Sequence, residues 1–139
     1  MKKTLIILVL LFSSSVVAGD DLTGNNILCI RDPNKLSNIA FNFFSPEKVK
    51  LFVSYTDKRI LERNTSYDAE LKKVTIYQTD ITGYLTINRQ TLELRRLKGN
   101  TMHRYGRCEV VKGGVSQLKN NLKNLMSKQL KSISDLNQF

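Results

Sequence analysis

Between Ile27 and Val111 the chain is built from short runs in which apolar and polar residues alternate, each run stopped by turn residues. Val49, Leu51 and Val53 alternate with Lys48, Lys50 and Ser54, and Ile39, Phe41 and Phe43 share one face of their run. A period of two is the signature of a strand with one buried face. The connections between runs are short, and a parallel pairing would need crossovers of a dozen or more residues, so neighbouring strands are expected to pair antiparallel.

Ile27-Leu28-Cys29-Ile30 is the first run and stops at the turn residues Asp32-Pro33-Asn34. The runs 38–45 and 48–55 follow, with Phe52 on the polar side of the second. In the segment 59–73 the apolar residues Ile60, Leu61 and Leu71 are unevenly spaced, and Asn64-Thr65-Ser66 reads as a turn between two strands. Val74 with Ile76 and Leu85 with Ile87 flank a turn at 80–83. Leu92 and Leu94 then follow a polar stretch, 88–91, read as a hairpin turn because Asn88 and Thr91 bond readily to nearby backbone. A further turn at 98–101 leads into the closing strand 103–111. The expected fold is mainly β: a single antiparallel β-barrel or sandwich over residues 27–112.

The first eighteen residues have a different pattern. Lys2 and Lys3 precede the apolar block at positions 5–12, and small residues end the segment at Ala18, the parts of a secretory signal peptide. The apolar run falls short of the roughly 20 residues a membrane span needs. Cleavage near Ala18 is therefore expected, placing the chain in a secreted or periplasmic compartment, with residues 19–26 as a flexible leader. About 120 residues remain, enough for one domain.

Cys29 and Cys108 are the only cysteines, one near each end of the β-region. In an oxidising compartment an even pair implies a disulfide. Closing a loop of this length stabilises the fold by roughly 4 kcal/mol in the chain-entropy account.

Gly113-Gly114 breaks the alternation, and the segment 113–139 follows a helical period instead. Val115, Leu118, Leu122, Leu125, Met126, Leu130, Ile133 and Leu136 recur at spacings of three and four and form one apolar stripe. Lys119, Lys123, Lys128 and Lys131 lie mainly on the remaining surface. The segment is expected to be an amphipathic basic helix, hinged at the glycines, that covers an open part of the β-domain, lies on an anionic membrane surface or pairs with another helix.

The formal charge is +10, or +8 once the leader takes Lys2 and Lys3 with it. Such a balance favours anionic partners: a membrane surface, an envelope polymer or an acidic protein. Export argues against nucleic acid. Arg89, Arg95, Arg96, Arg104 and Arg107 are the candidate anion-binding residues, with Lys98, His103, Tyr84 and Tyr105 nearby in sequence.

Catalysis by a histidine-activated nucleophile has one candidate base, His103, in a strand of arginines. One histidine and two paired cysteines make no metal-ligand set. The carboxylates Glu62, Asp68, Glu70, Asp80 and Glu93 are scattered, tryptophan is absent, and there is no glycine-rich phosphate loop. A protein with no enzymatic activity, cofactor or metal is expected.

A secreted chain with one cysteine in its first strand, one in its last and about six strands between resembles the small two-cysteine β-barrel proteins of the bacterial envelope, among them the periplasmic inhibitors of c-type lysozyme. The segment INRQTLEL followed by the strand carrying Cys108 looks like the last hairpin of many small exported proteins, and the similarity covers 27–111. The inhibitors' Ser-Gly-x-x-Tyr segment is not matched by Thr82-Gly83-Tyr84. A basic inhibitor would also be repelled by a basic lysozyme. The resemblance implies the barrel and carries over no inhibitory residue. The expected function is non-enzymatic binding of an anionic partner; the alternative is inhibition of a secreted or host enzyme through a protruding turn at 80–83 or 88–91.

Overall fold

A computed structural model describes residues 21–31, 37–55, 57 and 59–136. The expected signal peptide and the Asp32-Pro33-Asn34 stop lie outside the described residues. Eight strands are followed by one helix: β1 (Asn26–Arg31), β2 (Ile39–Phe43), β3 (Lys48–Ser54), β4 (Ile60–Ala69), β5 (Lys73–Ile76), β6 (Leu85–Asn88), β7 (Glu93–Lys98), β8 (Thr101–Val111) and α1 (Val115–Leu136). Each strand pairs antiparallel with the next, and β8 returns to pair with β1, so the sheet closes into a barrel. Closure removes both sheet edges and decides between the barrel and the sandwich.

Cys29 stands opposite Cys108 across the β1–β8 seam, and the two form the disulfide. The alternation places Ile39, Phe41 and Phe43 of β2, Val49, Leu51 and Val53 of β3, and Val74, Ile76, Leu85, Ile87 and Leu94 in one interior cluster with Ile27 and Cys29. An eight-stranded barrel is just wide enough for side chains to fill it, and three aromatic rings do much of the filling here. Phe43 lies 6.4 Å from Phe41 and meets Tyr67 edge-on at 4.8 Å. Charged residues such as Lys48, Glu62, Asp68 and Arg95 face outward and are exposed, the reverse of a lipid-facing barrel.

Three local expectations change. Asn64-Thr65-Ser66 is not a turn but lies within the ten-residue strand β4, paired with Lys50, Val49 and Lys48. The alternation is hidden because Arg63 and Thr65 occupy positions facing Leu51 and Val49, where apolar residues would have revealed it. Arg63 is tolerated there because it donates two hydrogen bonds to Asp80, at 2.8 and 3.0 Å. The end of the leader is also tied down: Gly24 donates to the Phe43 carbonyl at 2.8 Å, Phe43 to that of Asn25 at 3.0 Å, and Asn26 already belongs to β1.

The helix docks on the outside of the barrel. Leu118 and Leu122 are fully buried with Leu28, Ala40, Phe52 and Val111, the outward residues of β1, β2, β3 and β8, while Leu125 packs at the margin and Met126 is buried. This second core explains Phe52, which the one-faced pattern of β3 leaves over. Burial of each leucine contributes roughly 1.5–3 kcal/mol.

The glycine pair forms a fixed corner where a hinge was expected. Gly113 adopts φ +109°, a conformation that L side chains rarely hold, and its carbonyl accepts a 2.8 Å hydrogen bond from buried Asn26. Farther along, Gln129 interrupts the apolar stripe and exchanges hydrogen bonds with buried Asn38, the shorter at 2.7 Å. Lys119 reaches Glu62 at 3.7 Å and sits 5.7 Å from the Phe52 ring.

Candidate functional site

The β7–β8 hairpin and the last residue of β1 build a strongly charged concavity. Arg31, Arg96, Leu97, Lys98, His103, Arg104 and Tyr105 line an open pocket of about 330 Å³. Its construction follows from a change in pairing. Leu94 stands opposite Gly106, whereas the next residue, Arg95, stands opposite Arg104, so Tyr105 is the extra residue of a β-bulge. Bulges re-aim side chains and recur beside functional sites.

Gly106 makes the bulge compatible with barrel closure. A Cβ there would lie 2.3 Å from the Ile30 carbonyl oxygen, too close for any side chain. The tight seam places Arg31, directly opposite Gly106, beside Tyr105. The Arg31 guanidinium lies 3.9 Å from the Tyr105 ring centroid and that of Arg96 5.5 Å, so two cations share one aromatic ring. Arg31 also donates to the Ser37 hydroxyl.

The pairing of charges distinguishes this pocket. Arg59 is bound to Asp57 at 2.5 Å, Arg63 to Asp80 at 2.8 Å and Arg95 to Glu93 at 2.5 Å. The consequences show in the acids: hydrogen bonds from Arg63 and Arg95 hold the Asp80 and Glu93 carboxyls below their ordinary range, and the charge of Arg104 adds a little at Glu93. Among the described residues no carboxylate lines the pocket. Arg96, Lys98, His103 and Arg104 have no ion-pair partner among the described residues.

The five arginines singled out in the sequence therefore separate. Arg96 and Arg104 line the pocket, joined by Lys98 and His103. Arg95 faces outward and is engaged by Glu93, while Arg107 stands opposite Ile30 on one side and Glu93 on the other. Arg89 lies at the far end of the barrel, in the β6–β7 turn, where it donates to the Glu70 carbonyl at 2.7 Å. On the helix, Leu118, Leu122 and Met126 are turned into the fold, Leu130 is half-buried and Ile133 is exposed; Lys123, Lys128 and Lys131 are exposed, and Lys119 is engaged by Glu62. The stripe offered for a membrane or partner helix is thus largely consumed by the barrel.

The two turns suggested for an inhibitor are both locked. The Asn88 side chain accepts hydrogen bonds from the amides of Gln90 and Thr91 at 2.8 and 2.9 Å. Thr79 accepts from the amides of Ile81 and Thr82, and Arg63 holds Asp80. The contribution of Arg31 was missed from sequence. Pairing Cys29 with Cys108 would have revealed it, since counting two residues outward from each in antiparallel register sets Arg31 against Gly106, next to Tyr105.

Among the described residues no group of three or more histidine, cysteine, aspartate or glutamate side chains could hold a metal, and no helix is long and apolar enough to cross a membrane. No family model, curated protein or solved structure matches the chain.

Proposed function

We propose that this is a non-enzymatic binding protein of a secreted or periplasmic compartment, which holds an anionic partner at the pocket around Tyr105. The observation that carries this reading is the collection of Arg96, Lys98, His103 and Arg104 in one concavity with no carboxylate among its described lining, in a protein that pairs Arg59, Arg63 and Arg95 with acids elsewhere. Cations gathered in this way repel one another, and an anion relieves the repulsion. Among the described residues the lining has no nucleophile held by a base, which favours binding over chemistry. The Cys29–Cys108 disulfide is compatible with the oxidising compartment that the leader suggests.

The test compares two charge-matched variants on immobilised dextran sulfate. Arg96→Glu with Arg104→Glu alters the pocket; Lys123→Glu with Lys128→Glu makes the same change in net charge on the exposed helix face. The pocket variant should elute at much lower salt than the helix variant. Equal shifts would mean that net charge alone governs binding, and the pocket reading would fall.

A further inference from the structure

We infer that the ligand of this pocket presents a phosphomonoester, an inference that rests on the anion-binding reading above. Arg96 and Lys98 bring two permanent positive charges to one concavity, with His103 and Arg104 also in its lining. A single carboxylate, sulfate ester or phosphodiester brings one negative charge and leaves part of that positive charge unmatched. A phosphomonoester carries a charge of about −1.5 to −2 at neutral pH and three strong acceptor oxygens. It is the smallest common biological group that could engage several of these side chains at once.

The aromatic ring suits the same ligand. The Arg96 guanidinium lies 5.5 Å from the Tyr105 ring centroid, and its planar N–H edges can donate hydrogen bonds to an anion. Planar donor edges match phosphate oxygens with a fork that a lone ammonium lacks. Leu97 and Tyr105 add apolar surface for a small organic body attached to the phosphate.

The size and surroundings argue for a compact group and against an extended polyanion. A volume of about 330 Å³ lies at the lower end of the range for small-ligand pockets, about 300–1,000 Å³. A nucleic-acid strand or long envelope polymer needs cations spaced along a track. Beyond the pocket on this side of the barrel, Arg95 is engaged by Glu93, and Arg107 stands across from the same glutamate. The positive charge is therefore concentrated at one point.

Calorimetry on the full mature, disulfide-bonded chain at constant ionic strength tests the inference, with methyl phosphate, dimethyl phosphate and acetate as probes. Methyl phosphate should bind at least about tenfold more tightly than the other two. Losing one charged hydrogen-bonding partner should weaken it by about tenfold or more in Arg96→Ala and, separately, in Lys98→Ala. Arg96→Lys should recover part of the loss and Arg95→Ala should bind as the parent does, with circular dichroism confirming that every variant is folded. Sedimentation with phosphatidylcholine vesicles, with and without phosphatidic acid, separates the sources. Co-sedimentation reversed by methyl phosphate identifies a lipid headgroup, and binding of soluble methyl phosphate alone identifies a free metabolite; both support the inference. Equal affinity for all three anions would overturn the phosphomonoester while leaving the anion pocket standing. If no anion binds, or if Arg96→Ala and Lys98→Ala both bind as the parent does, both readings fail.

Discussion

Replacing Leu122 by alanine tests whether the C-terminal helix is part of the folded unit. Leu122 is 0% exposed and sits with Leu118 against Leu28, Ala40 and Phe52, far from either end of the helix. Leucine-to-alanine changes at such sites cost about 2–5 kcal/mol, from lost transfer energy and the cavity left behind. Taking about 3 kcal/mol and a urea dependence of about 1.5–2 kcal/mol per molar, the midpoint should fall by about 1.5–2 M, with the transition remaining single. Ile133→Ala is the control: Ile133 lies on the same helix but is 37% exposed, and its replacement should cost within about 1 kcal/mol. Unfolding followed by far-ultraviolet circular dichroism, with the disulfide intact, reads both. If Leu122→Ala moves the midpoint no more than Ile133→Ala, or if the helix melts in a separate earlier transition, the second core does not exist as described.

Gly106→Ala drives a methyl group to 2.3 Å from the Ile30 carbonyl oxygen, and because that atom is backbone the seam must open. A loss of about 3 kcal/mol is expected in the same assay, and a neutral effect would show that the β1–β8 approach is looser than described. Asn88→Ala removes the acceptor for the Gln90 and Thr91 amides and should cost about 1 kcal/mol, read as a drop in melting temperature, with Asn88→Asp retaining most of it. Asp80 is held below the ordinary carboxylate range by its hydrogen bond to Arg63, so its stabilising contribution is complete above that range and is lost as pH falls through the depressed value. Melting temperature against pH should accordingly be flatter on the acid side for Asp80→Asn than for the parent, and parallel curves would contradict the assignment.

Much of the barrel was legible because alternation at period two reports a buried face directly, as Val49, Leu51 and Val53 do in β3. It failed in β4, where Arg63 and Thr65 occupy positions facing Leu51 and Val49. A tertiary ion pair with Asp80 permits that arrangement, and local sequence does not announce it. The helix was legible as amphipathic, but its destination was not, because one apolar stripe suits a barrel, a bilayer or another helix equally well. Phe52 was the available clue, an aromatic residue on the polar side of an otherwise alternating strand, and it lies beneath Leu118 and Leu122.

The candidate site was half visible. Arg96, Arg104, Lys98 and His103 cluster in sequence because they share one hairpin, whereas Arg89, equally close in sequence, is carried to the opposite end by the turn before β7. Arg31 joins only through barrel closure, a contact between the first strand and the last. The bulge at Tyr105 left no mark that residue type alone could supply, since it lies beside the close passage of Gly106 against Ile30, a contact between distant strands.

The most direct test of the pocket is a nuclear magnetic resonance titration of the uniformly nitrogen-labelled mature chain with methyl phosphate at constant ionic strength. The account predicts that the largest shifts fall on the amides from Arg96 to Tyr105 and on Arg31, with the guanidinium resonances of Arg96 and Arg104 moving in step. Shifts concentrated on Lys123, Lys128 and Lys131, or around Arg89 at the far end of the barrel, would contradict it.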